Sequence, residues 1–318
     1  MNRLRPLLRA LACLAIPLLP GPAGAEETEA GTLGTGILGV VTGISSIHVN
    51  GLNIETPDGL MVGSRLGAQP ASALRPGDTV IVTARRQNGV LTAREIERYH
   101  PVIAPLDDVG PDRLVAAGMT IDVSEARRPP SGSLEPGDWV AVSGLWRGDL
   151  VMASAIDEIA PRDLVTVSGS FSSTDEGRRV GALRFEVPVL QHAEPGDGLT
   201  VTGEWQPGAE VLIAREVQVG LFPREVETLL IEGYLSPPDR RGTYTIYGTG
   251  LVAYTGGRDM EMPQERSLFC VRRADDPRIV QELPLDLSSR ERLDLLEAAS
   301  AEHRQGAPSI MERCLRKR

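Results

Sequence analysis

Apolar and polar residues alternate along most of the chain, in runs short enough for β-strands. Leu199 and Val201, for example, alternate with Thr200 and Thr202, and similar runs recur along the chain. A period of two predicts strands with one buried face. Helical spacing of apolar residues appears only after residue 285, where Ser288 and Glu291 form a capping box. The pattern therefore predicts a mainly β protein with a short C-terminal α-helix.

Two linked sequence elements recur three times. The first has the consensus P-G-D-x-[VL]-x-V-[ST]-[GA], and the second is a six-residue segment that begins at Leu91, Val151 and Leu212. Proline favours the first central position of a type II turn, glycine accepts the positive φ of the second, and aspartate can bond a local amide. The residues of this structural turn are Pro76, Gly77, Asp78, Pro136, Gly137, Asp138, Pro195, Gly196 and Asp197.

Each repeat of roughly 60 residues contains about five short strands, and a small closed or partly closed barrel removes their exposed edges most economically. We therefore predict three to four tandem five-stranded barrels similar to the OB fold, the fourth being degenerate because it lacks the Pro-Gly-Asp turn. The predicted segments are a signal peptide over 1–25, a flexible N-terminus over 26–35, β repeats over 36–100, 101–161 and 162–223, a degenerate β repeat over 224–286 and a helical tail over 287–318.

The first 25 residues have the features of an export signal. Three arginines precede an apolar stretch over residues 10–19, and Ala-Gly-Ala at 23–25 supplies a cleavage site. This stretch is too short to cross a bilayer, which needs about twenty apolar residues. We expect cleavage near Ala25 and a periplasmic or extracellular product of a Gram-negative bacterium, with no transmembrane segment in the mature chain. An uncleaved anchor or a buried helix is the alternative.

Charge narrows the choice of partner. Removing the predicted signal takes away three arginines and no acid, which changes the net charge from −10 to −13. A strongly acidic protein repels phosphate backbones and anionic lipid surfaces. Nucleic acid is therefore a disfavoured partner, and we expect an envelope protein or polymer.

Two cysteines remain in the predicted mature chain, Cys270 and Cys314. In an oxidising compartment an isolated pair is most simply a disulfide, and this one would tie the C-terminal tail to the body of the protein. Two unrelated thiols are the alternative.

The repeats resemble an exported bacterial family, domain of unknown function 5666. The resemblance rests on G-T-G-I at 34–37, I-H-V-N-G at 47–51, L-R-P-G-D at 74–78 and the strand over 91–96, and the first repeat carries it most closely. It implies repeated OB-like β-barrel units after a signal peptide. It implies no reaction, cofactor or catalytic residue.

Few residues stand out as candidates for chemistry. The sequence has no G-x-S-x-G, H-E-x-x-H or C-x-x-C motif, and its four histidines are scattered, so we expect no catalytic residue, no cofactor and no enzyme. The weak candidates for a calcium site are Asp107, Asp108 and Asp112, although their spacing fits no EF-hand. A solvated acidic loop is the alternative.

Two tryptophans, Trp146 and Trp205, occupy equivalent positions in the second and third repeats. A ring on a barrel rim could stack on a sugar, a base or a partner side chain, or it could cover the open end of the barrel. The sequence thus favours a non-enzymatic binding or scaffold module that uses barrel faces or strand edges. The second hypothesis is a small-ligand or calcium sensor, and the third is a binder of single-stranded nucleic acid or glycan.

Overall fold

β-Strands form nearly all of the regular structure. A computed structural model of the protein describes residues 34–44, 46–87, 90–130, 132–254, 265–274, 276 and 278–283, which all belong to the compact unit that begins at Leu33. The predicted signal peptide and C-terminal helix lie outside these residues. The strands are β1 Thr35–Gly43, β2 Ile47–Val49, β3 Leu52–Glu55, β4 Met61–Gly63, β5 Gln69–Pro70, β6 Thr79–Gln87, β7 Val90–Arg98, β8 Val102–Val109, β9 Arg113–Ala116, β10 Met119–Asp122, β11 Trp139–Arg147, β12 Leu150–Ile159, β13 Val165–Thr174, β14 Gly177–Val180, β15 Leu183–Glu186, β16 Gly198–Gln206, β17 Val211–Val219, β18 Thr228–Gly233, β19 Thr243–Ile246, β20 Leu251–Tyr254, β21 Ser267–Arg273 and β22 Val280–Leu283.

Two short 3₁₀ turns, Ala71–Ala73 and Pro207–Ala209, complete the regular structure of these residues. Within the same residues, no helix is long and apolar enough to cross a bilayer.

The first seven strands form barrel 1. Its closed circuit runs β1-β2-β3-β7-β6 and back to β1, and only the contact between β3 and β7 is parallel. Strands β4 and β5 form a hairpin outside this circuit, with β4 lying parallel to the second half of β7. Closure leaves none of the five strands as a free sheet edge along its whole length.

Barrels 2 and 3 repeat this order. Barrel 2 closes as β8-β9-β10-β12-β11 and barrel 3 as β13-β14-β15-β17-β16. Each again has a single parallel contact, β10 with β12 and β15 with β17, which are the third and fifth strands of the barrel in chain order. The predicted fold class of tandem five-stranded OB-like barrels is confirmed.

Strands β18–β22 form a fourth unit with the same order but weaker closure. Regular ladders join β18 to β21, β21 to β22 and β19 to β20. The remaining two contacts are isolated bridges, Leu235 with Ile246 and Val252 with Ile279. The fourth unit is therefore a degenerate version of the other three.

The Pro-Gly-Asp segments form the same turn in each barrel. The glycine has φ of 95°, 98° and 100° in barrels 1 to 3, a conformation that only glycine adopts readily. One carboxylate oxygen of the aspartate accepts a hydrogen bond from the backbone amide three residues earlier. These bonds measure 2.8 Å for Asp78 and 2.7 Å for both Asp138 and Asp197.

Backbone pairing also joins the units to one another. Strand β1 pairs in parallel with β18 of the fourth unit, and β8 of barrel 2 pairs antiparallel with β13 of barrel 3. Hydrophobic clusters cross the same boundaries, since the barrel 1 core includes Leu230 and Leu268 and the barrel 2 core continues into barrel 3. Neighbouring units therefore pack against one another through shared hydrophobic cores and do not form independent domains.

Candidate functional site

The fifth strand of each barrel is long enough to need two partners on its outer edge. In barrel 1, β3 covers the first half of β7, and β4 covers the second half by pairing Val62 with Ile96. In barrel 2, β10 covers the first half of β12. A single residue, Arg127, covers the second half, because its amide donates to Ser154 O at 3.0 Å and its carbonyl accepts from Ile156 N at 2.8 Å.

Barrel 3 lacks the second partner. Strand β15 pairs with β17 at Leu212 and Ile213, and no described residue pairs with the outer edge of β17 beyond them. Gly220 N donates to Gly198 O at 2.8 Å, so the alternation of an antiparallel ladder directs the backbone groups of Val217 and Val219 away from β16. We call residues 215–219 of β17 the open edge.

Burial of equivalent side chains supports this comparison. Ile96, Ile156 and Val217 occupy the same register position, opposite Val82, Val142 and Val201 respectively. Ile96 and Ile156 are both 1% exposed, whereas Val217 is only half-buried. The absence of a covering segment therefore leaves apolar side-chain surface as well as backbone groups accessible.

The length of one connection explains the difference. Between the third strand and the turn proline lie 20 residues in barrel 1 (56–75), 13 in barrel 2 (123–135) and 8 in barrel 3 (187–194). In barrels 1 and 2 this connection carries β4 and Arg127. The barrel 3 connection is too short to continue along β17 and return to the turn.

A surface groove of about 490 Å³ adjoins the start of the open edge. Its guanidinium groups are held by backbone carbonyls: Arg178 donates to Val187 O at 3.2 Å and Arg184 donates to Ala209 O at 3.1 Å. Glu186, which pairs with Ile213 in the ladder, is exposed and has no basic partner among the described residues. The groove is lined by Glu176, Gly177, Arg178, Arg184, Phe185, Glu186, Val187, Pro188 and Ile213.

Exposed apolar side chains flank the groove and the open edge. Val189 is 67% exposed on the short connection, and Val219 is 43% exposed at the end of β17. Polar contacts from barrel 1 reach the other face of the strand, where Arg65 lies 3.0 Å from Glu216 and also contacts Gln218. The open edge is thus flanked on one side by apolar surface and on the other by a neutralised ion pair.

The two candidate binding aromatics lie elsewhere. Trp146 is 2% exposed, its indole nitrogen donates to Ser168 O at 2.7 Å, and its ring fills space left by Gly181 and Gly248. Trp205 is half-buried and packs against the same core. The structure therefore gives Trp146 a packing role between units, with no ring face available on a rim for a ligand.

The aspartates considered for calcium do not converge. Asp107, Asp108 and Asp112 are all exposed; Asp107 accepts from Gly118 N at 2.7 Å, and Asp108 lies 3.7 Å from Arg113. No group of three or more metal-ligating side chains occurs in the described part of the chain.

The turn aspartates differ in their surroundings. Asp78 is fully buried and contacts Arg98 and, at 2.8 Å, Arg127 of barrel 2. Asp197 lies 3.7 Å from Arg278, whereas Asp138 makes no ion pair with any described residue. The Asp78 turn is therefore also part of the interface between barrels 1 and 2.

One buried histidine lies where barrels 1 and 3 meet. His100 is 4% exposed, and neither ring nitrogen has a hydrogen-bond partner in the described residues. Burial, reinforced by the charge of Arg98 and partly opposed by Asp157, lowers the pKa of His100 to about 4. It lines a cavity of about 30 Å³ that also includes Glu97, whose pKa is raised by burial.

The predicted disulfide falls partly outside the described chain. Cys270 is buried on β21, between the core of barrel 1 and the fourth unit. Cys314 lies outside the described residues, so the pairing of Cys270 with Cys314 stays a prediction.

One comparison with known proteins found a match, and it covers part of the first repeat. Residues 38–97, which include most of barrel 1, match the family model described as Domain of unknown function (DUF5666). No curated protein sequence matches the chain. The family match supports the resemblance seen in the sequence and adds no activity to it.

Proposed function

We propose that this protein is a non-enzymatic binding or scaffold module of the cell envelope, and that barrel 3 holds its partner protein. The observation that carries the proposal is the open edge of β17 with its adjoining groove. An unpaired strand edge is a template for another chain, and proteins normally cover such an edge. In this chain barrels 1 and 2 cover the equivalent edge with their own residues.

The shared cores suit a scaffold. A carbonyl in barrel 3 accepts hydrogen bonds from Trp146 of barrel 2 and from Tyr99 at the end of barrel 1. Binding sites on a rigid frame lose less conformational entropy on association than flexible ones. The frame would present the open edge in a fixed position.

The envelope location is proposed from the N-terminal segment and the cysteines. The charged, apolar and small-residue regions of residues 1–25 follow the order of an export signal. A disulfide between Cys270 and Cys314 would fit an oxidising compartment.

Site-specific photocrosslinking in cells tests the proposal. A photoreactive amino acid replaces Val189, beside the groove, and in a matched strain it replaces Ile44 on barrel 1, which is 56% exposed. We expect one protein adduct of defined mass from position 189 and none of that mass from position 44. Identical adducts from both positions, or none from position 189 when the protein is abundant, would contradict the proposal.

A further inference from the structure

We infer that the open edge binds an extended segment of another protein, which adds to barrel 3 as a strand parallel to β17. The segment would carry apolar residues at alternate positions and a basic residue at its N-terminal end. This inference rests on the proposed function and specifies the partner's chemistry.

The direction follows from the two barrels whose edges are covered. Strand β4 runs parallel to β7, and the bridge between Arg127 and Ala155 is also parallel. Both covering segments extend the third strand of the barrel in the direction in which it was already running. A segment added to barrel 3 would likewise continue the line of β15 from the point where the chain turns away at Val187.

The apolar pattern follows from the same comparison. In barrel 1 the covering residue Val62 is 2% exposed and belongs to the barrel core, and Leu60 packs against that core two residues earlier. The equivalent space in barrel 3 adjoins the half-buried Val217 and the exposed Val219. Apolar side chains two residues apart would cover both valines, because alternate residues of a strand share a face.

Charge complementarity specifies the N-terminal end. In barrel 1, Val62 of β4 lies opposite Ile96, which is equivalent to Val217. An added strand in the same register would place its counterpart of Val62 opposite Val217. Its residue three positions earlier, the counterpart of Gly59, would lie beside Ala214. Glu186 pairs with Ile213, one position earlier, and its carboxylate has no basic partner among the described residues. A basic side chain at the first position of the added strand would meet it. Barrel 2 offers a precedent, since the covering residue Arg127 lies 3.1 Å from Asp157.

Two peptides test these features against the chain from residue 26 onward. The first is N-terminally acetylated and has the sequence of residues 59–66, which contains β4, with Ser64→Val so that apolar side chains lie opposite both Val217 and Val219 in the β4 register. The second is identical except for Gly59→Lys. Binding is followed by NMR titration of the Val217 and Val219 amides, and a spin label at either end of the peptide reports its direction.

We expect the lysine peptide to shift both amides and to bind about three- to fivefold more tightly than the glycine peptide, as for a partly exposed ion pair. Glu186→Gln should remove this difference without altering the fold. Val217→Pro removes an amide that β16 does not use, and should weaken both peptides at least about tenfold. The control Val217→Ala keeps the amide and loses only side-chain contact, so it should weaken both peptides less than Val217→Pro does, by about threefold to fivefold.

Three results would overturn the inference. The first is that the Val217 and Val219 amide signals do not change at millimolar peptide. The second is that the two peptides bind the wild-type protein with equal affinity. The third is a concentration-dependent dimer that Val217→Pro abolishes, because the occupant of the edge would then be a second copy of this chain. A site-specific adduct at position 189 without peptide binding would leave the proposed function standing. Peptide binding without any cellular adduct would contradict the proposed function instead.

Discussion

The indole nitrogen of Trp146 in barrel 2 donates a 2.7 Å hydrogen bond to the carbonyl oxygen of Ser168 in barrel 3. The hydroxyl of Tyr99, which follows barrel 1, lies 3.3 Å from the same oxygen, and Gly248 of the fourth unit lies against the tryptophan ring. Groups from all four units therefore meet around the Trp146 side chain and the carbonyl that it binds. The relative positions of the barrels therefore depend on Gly181 and Gly248, which leave room for the Trp146 ring.

Gly248→Ala should destabilise the protein strongly. Gly248 has φ of 77°, and a Cβ atom there would overlap the Trp146 ring. Left-handed strain and overpacking together predict a loss of about 3 kcal/mol in the free energy of unfolding by urea. Gly59→Ala is the matched control, because Gly59 also has φ of 77° but faces open space. It should cost about 1 kcal/mol, and equal losses in the two variants would contradict the packing role of Trp146.

Asp78→Asn and Asp138→Asn should differ although both residues occupy the same turn. Asparagine can still accept the turn hydrogen bond, so Asp138→Asn should cost less than about 1 kcal/mol. Asp78→Asn leaves the charge of Arg98, whose side chain is 10% exposed, without its carboxylate. Breaking such a buried pair costs about 3–5 kcal/mol. Urea unfolding of the two variants measures this difference, and similar losses would show that the ion pair adds nothing to the turn.

Stability should fall in mild acid because of His100. Its pKa in the folded protein is about 4, below the ordinary value of 6.5, so the unfolded chain binds more protons between these pH values. The stabilisation is complete above pH 6.5 and declines as the pH falls towards 4, by about 3 kcal/mol.

The His100 prediction is measured as a difference between wild-type protein and His100→Gln in urea unfolding from pH 7 to pH 4. The raised pKa values of Glu97 and Glu232 act in the opposite direction, because their protonated forms are favoured by burial in the folded state. Both proteins contain these carboxyl groups, so the difference isolates the histidine. Parallel profiles would contradict its burial as a neutral ring.

The disulfide prediction can be checked on the exported protein. Non-reducing peptide mapping should recover Cys270 linked to Cys314, and reduction should lower the free energy of unfolding by roughly 4 kcal/mol on the chain-entropy model. Cys314→Ser should produce the same loss without reductant. Free thiols at both positions in protein isolated under alkylating conditions would contradict the pairing.

Local sequence signals predicted the barrels because each turn is set by its own residues. Pro76, Gly77 and Asp78 specify a type II turn through φ preferences and one short hydrogen bond, and this physics needs no distant partner. The parallel pairing of β1 with β18 could not be read in the same way. It joins segments almost 200 residues apart, and no local pattern records which distant strand will lie alongside.

The role of Trp146 was also hidden from local analysis. Its burial depends on Gly181 and Gly248, which come from two other units and leave room for the ring. The open edge, in contrast, could have been predicted by comparing the lengths of the three repeats. The connection before the turn has 20, 13 and 8 residues in the three barrels, so the third cannot cover its own fifth strand.

In the described part of the chain, barrel 3 leaves open an edge that barrel 2 covers, and amide hydrogen exchange of the isolated chain measures this difference. Ile156 and Val217 occupy equivalent positions, but only the Ile156 amide has a described acceptor, Arg127 O at 2.8 Å. We predict that Ile156 is protected and that Val217 exchanges at least about a hundredfold faster, as expected for an amide open to water. Equal protection at the two positions would mean that the edge of β17 is already covered, and it would rule out this edge as the binding site.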